Sequence, residues 1–362
     1  MEDYRMKYRV LAINPGSTST KIAVFDDETP VFIKTLRHDP KQIDQFGGII
    51  EQYDYRKGLV LEAMKENDVP ANTLEAVVGR GGLVRSLPGG TYKVCDKMMA
   101  DLKDPAHWGR IHASNLGAFI ADSIASDLNI PAFIVDPVTV DEFDDIARMS
   151  GIKEIERKSL FHALNIRFTA RHAAKDIGKP FDQCNMIPVH MGGGISVGAI
   201  RNGMVVDMNN ALLGMGPFSP QRAGALPIGD LIDLCYSGKW TKKELTGYLT
   251  RGAGLISYLG SDDGIWIEEE IRKGNKDVKF VHDAMCYQIS KEIGAYAAVL
   301  EGDVDCIFLT GGLAYNPFLV AEIKRRTSWI AQVLVYPGEK EMEALSQGGV
   351  RVLKGEEKAR EY

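Results

Sequence analysis

Residues 10–25 read VLAINPGSTSTKIAVF. Two apolar runs enclose a polar centre of Asn, Pro, Gly, successive hydroxyl residues and one lysine. Pro15-Gly16 is a turn signal, and Ser and Thr suit turns because their hydroxyls bond nearby backbone. The same letters also fit a ligand loop. Gly16 lets a backbone come close to a bound group. Ser17, Ser19 and Lys21 alternate, so on an extended segment they face one way. Backbone N–H groups, hydroxyls and an ammonium together make a site for phosphate oxygens. On this stretch alone a plain hairpin and a phosphate loop both stand. The spacing is not that of GxxxxGK[ST], so a Walker loop is excluded.

Outward from this stretch, residues 10–13, 22–25 and 31–36 are expected as three short strands, the last two joined by a turn at 26–28. Runs 76–78 and 132–135 read as buried strands. Between them Leu116, Ile120, Ile124 and Leu128 recur every four residues on a helix face, with Asn129 as its stop and Pro131 beyond. The same grammar returns roughly 180 residues later: strand 186–190, Gly192-Gly193-Gly194, strand 195–200, a turn at 201–203, strand 204–207. A long helix follows, with Val281, Met285, Ile289, Ile293, Tyr296 and Leu300 on one face. The small residues Gly294, Ala295, Ala297 and Ala298 are expected to admit another backbone. Strand 306–309, the pair Gly311-Gly312, a helix capped near Asn316-Pro317 and strand 333–336 complete the pattern. Such alternation implies α/β layers. No linker stretch marks a boundary, which is expected in a helical connection near 157–179.

The chain has 362 residues, 45% hydrophobic and 25% charged, a globular composition with length for two domains. Its net charge of -6 argues against nucleic acid as a partner. The five cysteines have no paired spacing and are expected as reduced thiols in a cytoplasmic protein. The charged first ten residues do not read as a signal peptide, and no apolar run is long enough to span a membrane.

Two further glycine turns join the first. VHMGGGISV places three glycines between strands, and FLTGGLAYNP places two at a strand end before a helix, where nucleotides commonly sit in α/β proteins. With these three glycine turns in order, the chain resembles the acetate and propionate/butyrate kinase family, the acetokinases, within the actin-like ATPase and sugar kinase superfamily. INPGSTSTKI resembles the family's first phosphate loop and VHMGGGISVGAI its second. GRGG, the IH of IHASN, IVDPVTV, LFHAL, QRAG and FLTGG fall in family order. The GRGG, LFHAL and HMGGG forms are more similar to butyrate kinases than to acetate kinases, whose second loop carries Asn where this chain has Gly193.

The resemblance implies two duplicated actin-like (ribonuclease H-like) domains with mixed sheets flanked by helices. The first is expected over 1–156, completed by a C-terminal helix at 344–362. The second, over 157–343, is expected to bind nucleotide and to dimerise, giving a homodimer or a multiple of dimers. It also implies ATP/ADP, Mg²⁺, a short-chain carboxylic acid and its acyl phosphate.

The chemistry fits the residues. A carboxylate is already ionised at neutral pH and needs no general base to attack phosphorus. It needs relief from the repulsion between two anions, because phosphoryl transfer rests on positioning and electrostatic stabilisation. Arg80 follows a buried strand, and its flanking glycines are expected to leave its guanidinium room to fork onto a carboxylate; a surface arginine at a turn is the alternative. By the resemblance Arg80 holds the substrate carboxylate and Arg222 stabilises the transferring phosphoryl group. His162, after Phe161, donates to a phosphoryl oxygen; Phe161 and His112 line the acid's pocket. His190 with Gly192, Gly193 and Gly194 reaches the second phosphate region, as Asn14, Ser17, Ser19 and Lys21 reach the first and Gly311 and Gly312 the third. Asp136 is either a turn aspartate before Pro137 or an acidic group near Mg²⁺, which uses few carboxylates. Asn14 and Glu343 are expected near the metal, with Glu341 as a rival, and Asp263 near the nucleoside, with Asp262 equally placed. His38, His107, His172 and His282 read as structural or exposed. Gly81 and Gly82 are expected to leave space for a tail longer than acetate. A sugar or polyol kinase, which needs an Asp or Glu base for a hydroxyl, and a nucleotide-driven chaperone or filament module are the competing functions.

Overall fold

The structure, a computed structural model, describes residues 7–104, 106 and 111–362; His107 lies outside them. The chain divides into two compact units, Met1–Val140 with Lys340–Tyr362, and Asp141–Glu339. From the sequence the division is expected at 156/157 and 343/344. Electrostatics draw residues 141–156 into the second unit instead. Glu142 pairs with Arg167 at 2.8 Å and Asp144 with Arg201 at 2.7 Å, and the Asp144 N–H donates to the Val206 carbonyl at 2.9 Å.

The first unit is built on a six-stranded sheet. Its strands are β1 (Arg9–Pro15), β2 (Ser19–Asp26), β3 (Thr29–Arg37), β4 (Ala76–Arg80), β5 (Thr91–Lys93) and β6 (Ala132–Val135), in the order β3-β2-β1-β4-β6-β5. The first three form an antiparallel meander; β4 and β6 run parallel to β1, and β5 is antiparallel at the edge. Alternation along β1 sends Leu11 and Ile13 to one face, where they join Val60 of the helix Tyr53–Glu66 and Leu116, Ile120 and Ile124 of the helix Leu116–Leu128. The second of these helices ends at Asn129 with φ 54°, the left-handed stop expected of it. The opposite face is covered by the helix Glu341–Leu353. A Cβ on its Gly349 would lie 2.8 Å from Val78, so glycine sets how closely the helix seats.

The second unit repeats the plan. Its strands β7 (Met186–Met191), β8 (Ile195–Arg201), β9 (Met204–Met208), β10 (Cys306–Gly311) and β11 (Val333–Pro337) lie in the order β11-β10-β7-β8-β9. The antiparallel meander β7-β8-β9 and the parallel set β7, β10, β11 match β1-β2-β3 and β1, β4, β6 strand for strand. The duplication expected from the sequence is therefore real. Asn202 and Gly203 turn the β8–β9 hairpin with φ of 50° and 75°, the pair that a primed turn requires. The helix Lys276–Val299 buries Met285, Ile289, Ile293 and Tyr296. Gly294, expected to admit a second backbone, has open space beside it instead. Among the described residues no helix is long and apolar enough to cross a membrane, and all five cysteines are free.

Candidate active site

In the first unit β1 and β4 run side by side with Ile13 opposite Gly79. The next residues, Asn14 and Arg80, thus sit together at neighbouring strand ends. Arg80 Nη1 forms an ion pair with Glu341 and lies 3.4 Å from Asn14 Oδ1, while Asn14 Nδ2 donates to Glu341 Oε2 at 2.6 Å. Helical geometry decides between the two glutamates left open. Residues two apart on a helix diverge by about 200°, so Glu341 and Glu343 point to opposite sides, and it is Glu341 that joins Asn14 and Arg80. The structure thus sets Glu341, and not Glu343, beside Asn14 and Arg80.

The glycines around Arg80 are there for backbone packing. A Cβ on Gly79 would clash with the Gly117 carbonyl, where the helix Leu116–Leu128 starts against β4. One on Gly81 would lie 2.6 Å from Pro137, and one on Gly82 would clash with Asn115. The room expected at Gly81 and Gly82 for a longer acyl tail is already filled by this protein's own atoms.

The segment 16–18 is a hairpin turn between antiparallel strands, closed by the Gly16 N–H donating to the Ser19 carbonyl at 2.7 Å. Ser17 and Thr18 stand exposed at its tip. Asn14 and Lys21 are cross-strand partners and share a face with Ser19. The turn is thus the hairpin that Pro15-Gly16 signals.

Asp136, at the end of β6, is 3% exposed and has φ 37°, a conformation uncommon for a residue with a side chain. Its Oδ1 accepts from the Gly90 N–H at 2.7 Å, and its own N–H donates to the Gly90 carbonyl at 3.0 Å. These bonds are those of the turn aspartate. His112 is exposed and caps the turn at 113–115, its Nδ1 accepting from the Ser114 N–H at 3.2 Å.

In the second unit the loop 217–224 lies over the triple glycine. Ser219 Oγ donates to the Gly193 carbonyl at 2.6 Å and accepts from the Arg222 N–H at 3.1 Å. The Arg222 guanidinium donates to the Ala211 carbonyl and occupies the space a Cβ on Gly194 would need. A Cβ on Gly193 would come within 3.1 Å of Gln221. Among the described residues no carboxylate pairs with Arg222, its Nε is buried without a partner, and burial lowers its pKa from the usual arginine range. Gln221 donates to Asp262 at 2.7 Å, whereas Asp263 is spent on capping the helix Gly264–Arg272 through the N–H groups of Ile265 and Trp266. Of the two aspartates, Asp262 is thus the one tied to the glycine loop, and Asp263 has a helix to cap. Gly311, with φ 89°, lets β10 end against Met191, where a Cβ would clash, while Gly312 faces open space.

His162, directly after the buried Phe161, stacks on His190 with ring centres 4.0 Å apart. His162 Nδ1 lies 2.9 Å from Ser196 Oγ. His190 is 1% exposed; its Nδ1 donates to Asn165 Oδ1 at 2.7 Å, and its Nε2 lies 3.5 Å from Glu339 Oε1. With Nδ1 committed to Asn165, Nε2 accepts a hydrogen bond while the ring is neutral and donates one only when it is charged.

Asn14 and Glu341 are hard oxygen donors of the kind Mg²⁺ takes. Among the described residues no group of three His, Cys, Asp or Glu could cage a metal. An ion at Asn14 and Glu341 would therefore keep waters and lean on substrate phosphates, which is the habit of Mg²⁺. Sequence reasoning passed over Asn165, three residues after His162, Ser219 and Gln221 beside Arg222, and Arg56, which lies buried behind the first loop.

A family model described as the Acetokinase family matches residues 148–348, more than half of the chain. Among solved structures, an acetate kinase from Porphyromonas gingivalis superposes with a TM-score of 0.78 at 18% identity, over 96% of this chain and 100% of that one. An acetate kinase from Entamoeba histolytica gives 0.74 at 19% identity, over 94% and 99%. A propionate kinase from Francisella tularensis gives 0.73 at 15% identity, over 94% and 98%. These likenesses establish the fold as the one acetate kinases have.

Proposed function

Because this chain belongs to the acetokinase family, we propose that it is a carboxylate kinase moving the γ-phosphoryl group of ATP reversibly onto a short-chain fatty acid, butyrate above all, to give butyryl phosphate and ADP. The observation that carries this reading is Arg222. A half-buried guanidinium without a carboxylate partner among the described residues, laid against the second glycine loop, is a cation that an incoming anion would satisfy. In the forward reaction a carboxylate oxygen attacks the γ-phosphorus, and the bond to the β,γ-bridging oxygen breaks, leaving its electron pair on ADP. Arg222 is assigned the charge of the group in flight, and His162 and His190 its oxygens. Arg80 is assigned the substrate carboxylate, on exchange of its Glu341 partner for the acid. Asn14 and Glu341 would hold Mg²⁺ through its waters, and the ion would supply neutralisation of phosphate charge. Cytoplasmic location and assembly as a homodimer or a multiple of dimers belong to the same proposal.

A hydroxyl acceptor fits less well. It needs a carboxylate base, and the Asp136 carboxylate is engaged on the Gly90 N–H. The preference for butyrate rests on the GRGG, LFHAL and HMGGG forms; acetate, propionate and branched acids are the alternatives, since one methylene in an apolar pocket is worth only about 1–3 kcal/mol. The test is a kcat/KM series over C2 to C5 acids with ATP, trapping acyl phosphate as hydroxamate, beside glycerol and no acceptor. A maximum at C4 is expected. A maximum at C2 or C3 would overturn the butyrate assignment alone, and turnover with glycerol but with no acid would overturn the carboxylate kinase reading.

A further inference from the structure

Arg56 sits on the helix Tyr53–Glu66 at 1% exposure. Its guanidinium is aimed at the back of the first loop. Nη1 donates to the Gly16 carbonyl at 2.8 Å, to the Ser19 carbonyl at 3.3 Å and to Thr20 Oγ1 at 3.0 Å; Nη2 donates to the Ser17 carbonyl at 3.3 Å. Gln52, one turn earlier, holds the other side of the fork through Nη2 at 2.8 Å and Nε at 3.2 Å. The remaining carbonyl of the turn, that of Thr18, accepts from the His38 N–H at 3.0 Å.

These bonds have a consequence for the loop's donors. A trans peptide is planar, and its N–H points opposite to its C=O; none of the peptide bonds here is cis. With the Gly16 and Ser17 carbonyls drawn in toward Arg56, the N–H groups of Ser17 and Thr18 must point the other way, out through the exposed tip. Two successive N–H groups facing one side form an anion-binding concavity. A buried cation has therefore been used to turn a hairpin's carbonyls inward and its donors outward. Only a planar fork with several donors reaches three carbonyls and a hydroxyl at once, which a lysine's point charge cannot do.

We propose that Arg56 is a positioning residue that shapes the 16–18 turn into a phosphate-binding loop by holding its carbonyl groups from behind. It does not itself touch a ligand. The proposal rests on the phosphoryl-transfer reading for its kinetic consequence, but the loop geometry can be tested without it.

The experiment compares the full-length wild type with Arg56→Lys, first checked for a cooperative melt, by amide hydrogen exchange over residues 16–19 and by steady-state kinetics with ATP and butyrate. Exchange of the Gly16 N–H, which closes the turn on the Ser19 carbonyl, is expected to quicken at least tenfold while that of β4 stays put; the outward-facing Ser17 and Thr18 N–H groups exchange fast in both proteins. kcat/KM for ATP is expected to fall about 10–100-fold, as a loop displaced by about an ångström would cause, with KM for the acid moving less than threefold. A folded Arg56→Lys with both loop exchange and kcat/KM for ATP within twofold of wild type overturns the proposal. If Arg56→Lys does not fold, Gln52→Met removes only the brace behind the fork; a three- to tenfold change of both readouts supports the clamp, and none overturns it. Should wild type phosphorylate no acid, the function proposed above falls, and the clamp stands or falls on the exchange rates alone.

Discussion

The two hairpins that open the two units share a topology and are supported in opposite ways. The β1–β2 turn keeps side chains at its tip, and its backbone is gripped from the interior by Arg56. The β7–β8 turn has given up side chains altogether, because the loop 217–224 lies on it and the Arg222 guanidinium fills the space beside Gly194. In one unit an arginine stands behind the loop and works on carbonyls. In the other an arginine stands against the loop with its charge unmatched. Duplication preserved the strand order while the use of the cation changed sides. Strand order follows from apolar patterning, which many sequences satisfy, whereas the cation's place depends on single residues.

The harshest way to break this contrast is to remove the unmatched cation. Arg222→Ala is expected to leave the fold in place and to lower turnover by roughly 10³–10⁵, the range for arginines that stabilise a transferring phosphoryl group. Near-normal turnover in the purified, folded variant would take Arg222 out of the mechanism and leave it as packing for the glycine loop.

A middle-sized effect sharpens the first unit's side. Glu341→Gln removes the charge that Arg80 and Asn14 share. The Mg²⁺ concentration needed for half-maximal rate is expected to rise about 10–100-fold, the usual cost of disturbing a residue that orients a metal's surroundings. Glu343→Gln, on the far side of the same helix, should shift it less than twofold. Equal effects of the two substitutions would return the assignment to an open pair.

How much of this could be read from the letters divides along the same line. Ten of the strands show as apolar runs, and the duplication shows in their spacing; burial on both faces leaves a continuous signal in central strands such as β1, β7 and β10, while β3 and β11 are only partly covered. β5 has three residues at a sheet edge, too few for any period to register. Gly79 looked like room for Arg80 and proved to be the contact with Gly117; glycine in a sequence says that a side chain is unwelcome without saying what excludes it. Glu341 and Glu343 differ only in helix phase, and the start of a helix is the least certain part of any sequence reading. Arg56, in YDYRKGLVLEAMKE, looks like any charged residue on a helix surface. Its burial depends on a loop 40 residues earlier folding back over it, and no local pattern carries that information.

The smallest effect is a pH dependence behind the first loop. His38 is 6% exposed, its Nε2 lies 2.9 Å from Thr20 Oγ1, and burial, reinforced by the Arg56 cation, lowers its pKa from 6.5 to about 4. In the unfolded chain the imidazole takes up its proton near pH 6.5, but in the fold it resists until about pH 4. The unfolded state therefore binds more protons between these values, and stability must fall as the pH drops through them. Above pH 6.5 the two states carry the same neutral ring and the full stability is present. Between pH 7.5 and pH 5.0 the loss assignable to His38 is about 2 kcal/mol. Urea denaturation at those two pH values should show His38→Gln losing less stability than wild type by about that amount, since an amide can still bond Thr20 and has no proton to gain. Equal losses would mean that the His38 ring takes up its proton as readily in the fold, beside Arg56, as in the unfolded chain, and the first loop would then have two cations behind it where the second has Arg222 against it.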